Sequence, residues 1–284
     1  ENANEGIDVV YSTLNYTLGA NVEDLFFQTF FFNGGAVVGI GNALNNSIGG
    51  NALNNTLSGL DGNDTLDGAA GNDWIDGGTG ADRMIGGSGD DYYIVENGGD
   101  TIIENAGEGT DHVLSTVDYT LSANIENLFF TWLGGWTSNS IVGRGNASNN
   151  FINGNAQNNS LYGYEGNDQL EGLDGNDVLD GGLGVDTMLG GLGNDIFYVD
   201  NTADVVTENA GEGIDLVYTS ADYTLAANID AIDGVTAIVT ADNRLKITAE
   251  SAETRLAFGD DTSGLLAAIG INTFFTGSNA GNIA

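Results

Sequence analysis

"GLDGNDTLDGAAGNDWIDGGTGADRMIGGSGDDYYIV", from Gly59 to Val95, sets a glycine and then an acid at even spacing four times in succession. Counted in nines from Gly59, the units are "GLDGNDTLD", "GAAGNDWID", "GGTGADRMI" and "GGSGDDYYI". Position four is always glycine: Gly62, Gly71, Gly80, Gly89. Position six is always aspartate: Asp64, Asp73, Asp82, Asp91. Position eight is large and mostly apolar: Leu66, Ile75, Met84, Tyr93. Backward in phase, "GNALNNSIG" from Gly41 and "GNALNNTLS" from Gly50 put Asn46 and Asn55 at position six. Forward, "VENGGDTII" from Val95 adds Asp100 and Ile102.

The same text returns at Gly163 as "GYEGNDQLEGLDGNDVLDGGLGVDTMLGGLGNDIFYV". Its glycines are Gly166, Gly175, Gly184 and Gly193, and its aspartates Asp168, Asp177, Asp186 and Asp195. Two preceding units carry Asn150 and Asn159, and "VDNTADVVT" adds Asp204.

A short turn followed by a short strand returns the chain to a stacked position. Glycine supplies the positive φ such turns need. The middle residue of each strand points inward and fills the core. One unit cannot bury its apolar face alone, but a stack can. Two units make one coil, so Asp64 faces Asp82 and Asp73 faces Asp91. Carboxylates on adjacent coils, with turn carbonyls between them, form an oxygen cage that suits Ca²⁺ better than Zn²⁺ or Mg²⁺. The bland alternative is an acidic face that only solubilises the solenoid. Stacked like charges argue against it unless a cation lies between them.

The pattern G-G-x-G-x-D-x-(apolar)-x resembles the calcium-binding nonapeptide of RTX (repeats-in-toxin) proteins, carried in full by "GGTGADRMI", "GGSGDDYYI", "GGLGVDTML" and "GGLGNDIFY". The resemblance implies a parallel β-roll with Ca²⁺ between its turns, and usually secretion into calcium-rich surroundings. The fold expected is all-β, a right-handed parallel β-roll or β-solenoid with two calcium-binding arrays and a small α+β C-terminal segment. The expected ligands are the ten position-six aspartates and carbonyls of the eight position-four glycines, holding about two to four ions per array. Asn46, Asn55, Asn150 and Asn159 carry neutral amides that can hydrogen-bond up the stack, so their coils are expected to be metal-free or half-sites.

Composition bounds the partners. The 284 residues carry 41 acids against 5 Lys+Arg, a formal net charge of -36. Such a body repels itself unless cations neutralise it. Nucleic acid and anionic lipid are poor partners for so few basic groups. "LFFQTFFF", Leu25 to Phe32, is too short to span a bilayer, and the start lacks a signal-peptide pattern. Cysteine is absent, so no disulfide staples the fold. Because the chain starts inside a repeat, a piece of something longer is expected.

A longer module also recurs. "ENANEGIDVVYSTLNYTLGANVEDLFF" at Glu1 returns at Glu104 and begins again at Glu208. Asp111 and Val113 lie in "EGTDHV", which prolongs the nonapeptide logic with two extra residues. Leu121, Ile125, Leu128 and Phe130 are expected to face inward. The expected divisions are 1–40 (wide coils), 41–103 (first roll), 104–144 (linking coils), 145–207 (second roll), 208–234 (third module begun) and 235–284 (tail). The aromatics Phe26, Phe27, Phe30, Phe31, Phe32, Phe129, Phe130, Trp132 and Trp136 read as core filling ahead of a sugar- or partner-binding platform.

The tail reads as strands over Val235 to Thr240, Arg244 to Ala249 and Thr254 to Phe258, then a helix from Asp261-Thr262-Ser263 through Ile269. "RLKITA" and "FGDDTSGLLAAIGINTFFTGSNAGNIA" resemble the bacterial flagellar hook-associated (hook–filament junction) proteins, which implies an outward-facing domain of an appendage. With one histidine, His112, no cysteine and no H-E-x-x-H or G-x-S-x-G, catalysis is not expected. The expected function is a calcium-binding structural module at the cell surface or outside it, with calcium and other surface or appendage subunits as partners. The alternatives are the non-catalytic tail of an extracellular enzyme and an adhesion module.

Overall fold

The structure is a computed structural model that describes residues 6–28, 37–130, 141–221, 223–224, 226–229, 235–239 and 245–249. Its body is a parallel β-solenoid of about eleven turns, and no described residue is helical. Strands alternate between two faces. One face is a single eleven-stranded sheet running from Tyr16–Thr17 to Val205–Thr207. The other is two six-stranded sheets, from Val9–Ser12 to Thr101–Ile103 and from Tyr119–Thr120 to Leu216–Thr219.

Within the arrays the register advances by one coil of 18 residues: Leu66 pairs with Met84, Ile75 with Tyr93, Leu161 with Leu179. Position eight therefore forms two files along the axis, one on each face. Leu57, Leu66, Ile75, Met84 and Tyr93 are fully buried, as are Leu161, Leu170, Leu179, Met188 and Phe197. Each such side chain contributes about 1.5–3 kcal/mol by leaving water.

The continuous face carries its file through the wide coils, pairing Tyr93 with Val113, Val113 with Leu128 and Leu128 with Ile152. The step from Tyr93 to Val113 contains the two extra residues expected of "EGTDHV". Leu121, Ile125, Leu128 and Phe130 are buried, as expected. Phe27 and Phe130 turn inward and fill space left by strand glycines; a Cβ on Gly39 or Gly143 would lie 2.6 or 2.7 Å from the ring. Phe30, Phe31, Phe32, Trp132 and Trp136 lie outside the described residues.

In the tail, Val235–Val239 and Leu245–Ala249 pair antiparallel, with Val235 opposite Ala249. These are two of the three expected tail strands. The third strand and the helix lie outside the described residues.

Candidate metal centre

Each position-six aspartate is buried, between 0 and 2% exposed for Asp64, Asp73, Asp82, Asp91, Asp168, Asp177, Asp186 and Asp195. In each, Oδ1 accepts the backbone amide of the position-six residue one coil earlier. Asn46 N donates to Asp64 at 2.6 Å, Asp64 N to Asp82 at 2.7 Å and Asp73 N to Asp91 at 2.7 Å. The second array repeats this from Asn150 to Asp168, Asp168 to Asp186 and Asp177 to Asp195. Oδ2 of all eight is buried with no hydrogen-bond partner.

These oxygens converge on main-chain carbonyls. A Cβ on Gly59 would lie 2.1 Å from Asp64 Oδ2 and 2.5 Å from the carbonyl oxygen of Gly77, on the next coil. The same pairing recurs at Gly68 with Asp73 and the Gly86 carbonyl, at Gly163 with Asp168 and Gly181, and at Gly172 with Asp177 and Gly190. In these four cages a position-one carbonyl of the next coil thus lies near the lone carboxylate oxygen. The position-four glycines lie in the turns at positive φ. Gly62 and Gly166 donate their amides to Thr79 and Leu183 on the next coil. Their carbonyls face the next position-four glycine so closely that a Cβ on Gly80 or Gly184 would lie 1.6 Å away.

Burial pushes the carboxyls up: Asp73, Asp168 and Asp177 to about 7, Asp64, Asp91, Asp186 and Asp195 to about 6. The amide each accepts works against the rise, and the carboxylate one coil on adds to it. Burying a lone charge is strongly unfavourable, so the group must take up a proton or a cation. Buried carboxylate oxygens paired with main-chain carbonyls are a hard donor set fit for Ca²⁺.

The asparagine coils are built differently. Asn46 accepts the Asn42 amide through Oδ1 at 2.7 Å, and its Nδ2 reaches the Glu23 carbonyl at 3.1 Å. Asn150 accepts from Asn146 and donates to the Ile125 carbonyl. Asn55 and Asn159 close the same local loop with Asn51 and Asn155. The position-six amides find partners for both polar atoms, where the aspartates leave an oxygen alone. Asp100 and Asp204 end the ladder. Their Oδ1 atoms accept from Asp82 and Asp186, and their Oδ2 atoms accept from the amides of Asn97 and Asn201.

Position two separates the coil types. In aspartate coils its φ is positive: Leu60 (79°), Ala69 (78°), Tyr164 (79°) and Leu173 (80°), followed one coil later by Gly78, Gly87, Gly182 and Gly191. The first four stack on asparagine coils, whose position-two residues do not have positive φ. The next four stack on a flipped peptide. A Cβ on Gly78 or Gly182 would lie 2.0 or 2.2 Å from the Leu60 or Tyr164 carbonyl oxygen. Side chains are therefore tolerated only in the leading coil, which accounts for the missing second glycine in "GLDGND", "GAAGND", "GYEGND" and "GLDGND".

Two sets of three buried acids also come together: Asp91, Glu104 and Asp111, and Asp195, Glu208 and Asp215, each with ligand atoms within 4.8 Å of one another. Glu104, Glu208 and Asp215 are absent from the sequence-derived ligands, and so is Asp111. Both glutamates are in phase as position one of the following unit, which was the available signal.

Six overlapping stretches, 40–75, 49–84, 67–102, 144–179, 162–197 and 171–206, match the RTX calcium-binding nonapeptide repeat family (four copies). No curated protein matches the chain. The likeness of the last fifty or so residues to hook-associated proteins finds no support in either comparison. The two arrays of this chain are RTX calcium-binding nonapeptide repeats wound into a parallel β-roll.

Proposed function

We propose that this chain is a calcium-dependent structural module of a secreted or cell-surface bacterial protein, which folds and stiffens when Ca²⁺ enters its turns. The observation that carries the reading is the row of buried Oδ2 oxygens without partners, four of them (Asp64, Asp73, Asp168 and Asp177) near a glycine carbonyl of the next coil. The ligands are Asp64, Asp73, Asp82, Asp91, Asp168, Asp177, Asp186 and Asp195, with main-chain carbonyls between them. Asp100 and Asp204, already hydrogen-bonded through both oxygens, cap the ladder. Binding to a cage that exists only in the folded chain makes binding free energy into folding free energy. Low calcium inside a cell then keeps the chain loose for export, and high calcium outside folds it. Among the described residues no helix is long and apolar enough to cross a membrane. The role is structural, and the tail does not bear on it.

Calorimetric calcium titration, paired with circular dichroism, tests this. The chain is expected to bind several ions and gain β-structure, and EGTA to reverse both. Asp82→Ala combined with Asp186→Ala should lower the stoichiometry. Spectra and melting that ignore EGTA would refute the reading.

A further inference from the structure

The last cage of each array departs from the others. In the inner cages of Asp64, Asp73, Asp168 and Asp177 the lone aspartate oxygen lies near a main-chain carbonyl from position one of the next coil. Stepping one coil of 18 residues from Gly86 reaches Glu104, and from Gly190 reaches Glu208. Beside Gly190, the atoms nearest a Cβ would be Glu208 Oε1 at 2.2 Å and Asp195 Oδ2 at 2.3 Å. In the second array a carboxylate side chain thus stands where inner coils present a carbonyl; beside Gly86 in the first, Asp91 Oδ2 is joined by the Tyr93 hydroxyl, which donates to Glu104. The third acid, Asp111 or Asp215, closes the coil after the two-residue insertion, and its Oδ1 accepts the amide of Asp91 or Asp195 at 2.9 Å.

We propose that each array ends in a divalent-cation site of a second kind, Asp91–Glu104–Asp111 in the first and Asp195–Glu208–Asp215 in the second. It rests on the calcium reading above and adds a ligand class outside the nonapeptide. Two observations carry it besides the clustering. Oδ2 of Asp91 and Asp195 and Oε2 of Glu104 and Glu208 have no partner, in residues no more than 7% exposed. The arrangement is also built twice, from "ENAGEGTD" and "ENAGEGID". Three carboxylates bring one more charge than the inner cages, and calcium affinity rises with ligand charge. These sites therefore fill first and anchor the wide coil to the array.

The two differ in one group. The Tyr93 hydroxyl donates to Glu104 Oε1. Phe197 stands in its place in the second array, where the Gly190 amide donates to Glu208 Oε1 at 2.9 Å. A phenol therefore borders the first site only.

Glu104→Gln and Glu208→Gln are isosteric and remove one charge each. Titrated with calcium on the full chain, each is expected to lose one ion and the tightest binding phase of its array. Unchanged stoichiometry in both, with a wild type that binds calcium, overturns this inference and leaves the nonapeptide reading intact. A wild type that binds none overturns both. Because loss of a carboxylate can unfold an array, a second pair of variants keeps every acid. Tyr93→Phe copies the second array, and Phe197→Tyr copies the first. With terbium(III) as the probe, tyrosine-sensitised emission should fall in Tyr93→Phe and rise in Phe197→Tyr. Emission that moves in neither variant also overturns the proposal.

Discussion

The amide of Asp64 donates to Oδ1 of Asp82, one coil on, at 2.7 Å, while Oδ2 of both is buried and accepts nothing. One half of each carboxylate ties coils together. The other half accumulates negative charge in the same place. The roll is thus held by groups that also oppose it, and the balance depends on what neutralises them.

Asp64→Asn isolates the two halves, since Asn46 shows that an amide can occupy a position-six site with its own polar atoms satisfied. In EGTA the variant should melt above wild type. In calcium it should melt below. Losing a site that is filled at 100 times its Kd removes about 2.7 kcal/mol, which corresponds to a drop of roughly 5–10 °C for a chain of this size. Melting scans in both buffers check the crossing of signs.

Acid should replace calcium in part. Burial pushes the carboxyls of Asp64, Asp73, Asp91, Asp168, Asp177, Asp186 and Asp195 up to about 6 to 7 in the folded chain, above the ordinary value of 3.8. The folded chain therefore binds more protons than the unfolded one between those values, and metal-free stability falls as pH rises through them. Melting in EGTA is expected to be higher at pH 5 than at pH 8. In calcium the benefit should run the other way, because protons compete with the ion. A calcium effect equal at both values would contradict the burial of these groups.

Gly182→Ala should be far more damaging than its chemistry suggests. Its φ is +84° and its Cβ would meet the Tyr164 carbonyl oxygen at 2.2 Å. A loss of about 2 kcal/mol or more is expected, within the range for strained backbone. Tyr164→Gly, one coil earlier, should stay within about 1 kcal/mol, since relief of strain offsets added chain entropy. Denaturant titration in saturating calcium compares them.

His112 stacks on Tyr92 at 4.4 Å, and its Nδ1 is buried without a partner. Burial holds its pKa below the usual histidine value. It sits mid-row on the outer sheet face, between the Trp74–Tyr92 stack and Phe129–Phe151. His112→Phe should preserve the row and remove the unsatisfied nitrogen, raising stability by about 1 kcal/mol. The gain should be the same with and without calcium, measured by thermal melts.

The nine-residue period made the inward files legible, because Leu66, Ile75, Met84 and Tyr93 recur in phase and only one face of each strand can be inside. It made the aspartate ladder legible for the same reason. It could not show which carbonyls come near the lone oxygen, since every residue carries one and only backbone geometry places those of Gly77, Gly86, Gly181 and Gly190 there. Asp100 and Asp204 read as further ligands by spacing; that their second oxygens also accept the amides of Asn97 and Asn201 was not legible in it. Glu104 and Glu208 were hidden by a change of role: glycine at position one acts through its main chain, glutamate through its side chain. The two-residue insertion before Asp111 then disguised the third acid.

The flipped peptide at Leu60, Ala69, Tyr164 and Leu173 gives the arrays a polarity of growth. A coil bearing Gly78 and Gly87 can sit on another of its own sort, so gene duplication or slippage can multiply it freely. A copy of the leading coil placed on itself would drive a leucine or tyrosine Cβ into a carbonyl oxygen. Copy number is thus free to vary in the double-glycine coils alone, while each array keeps one leading coil and one asparagine base.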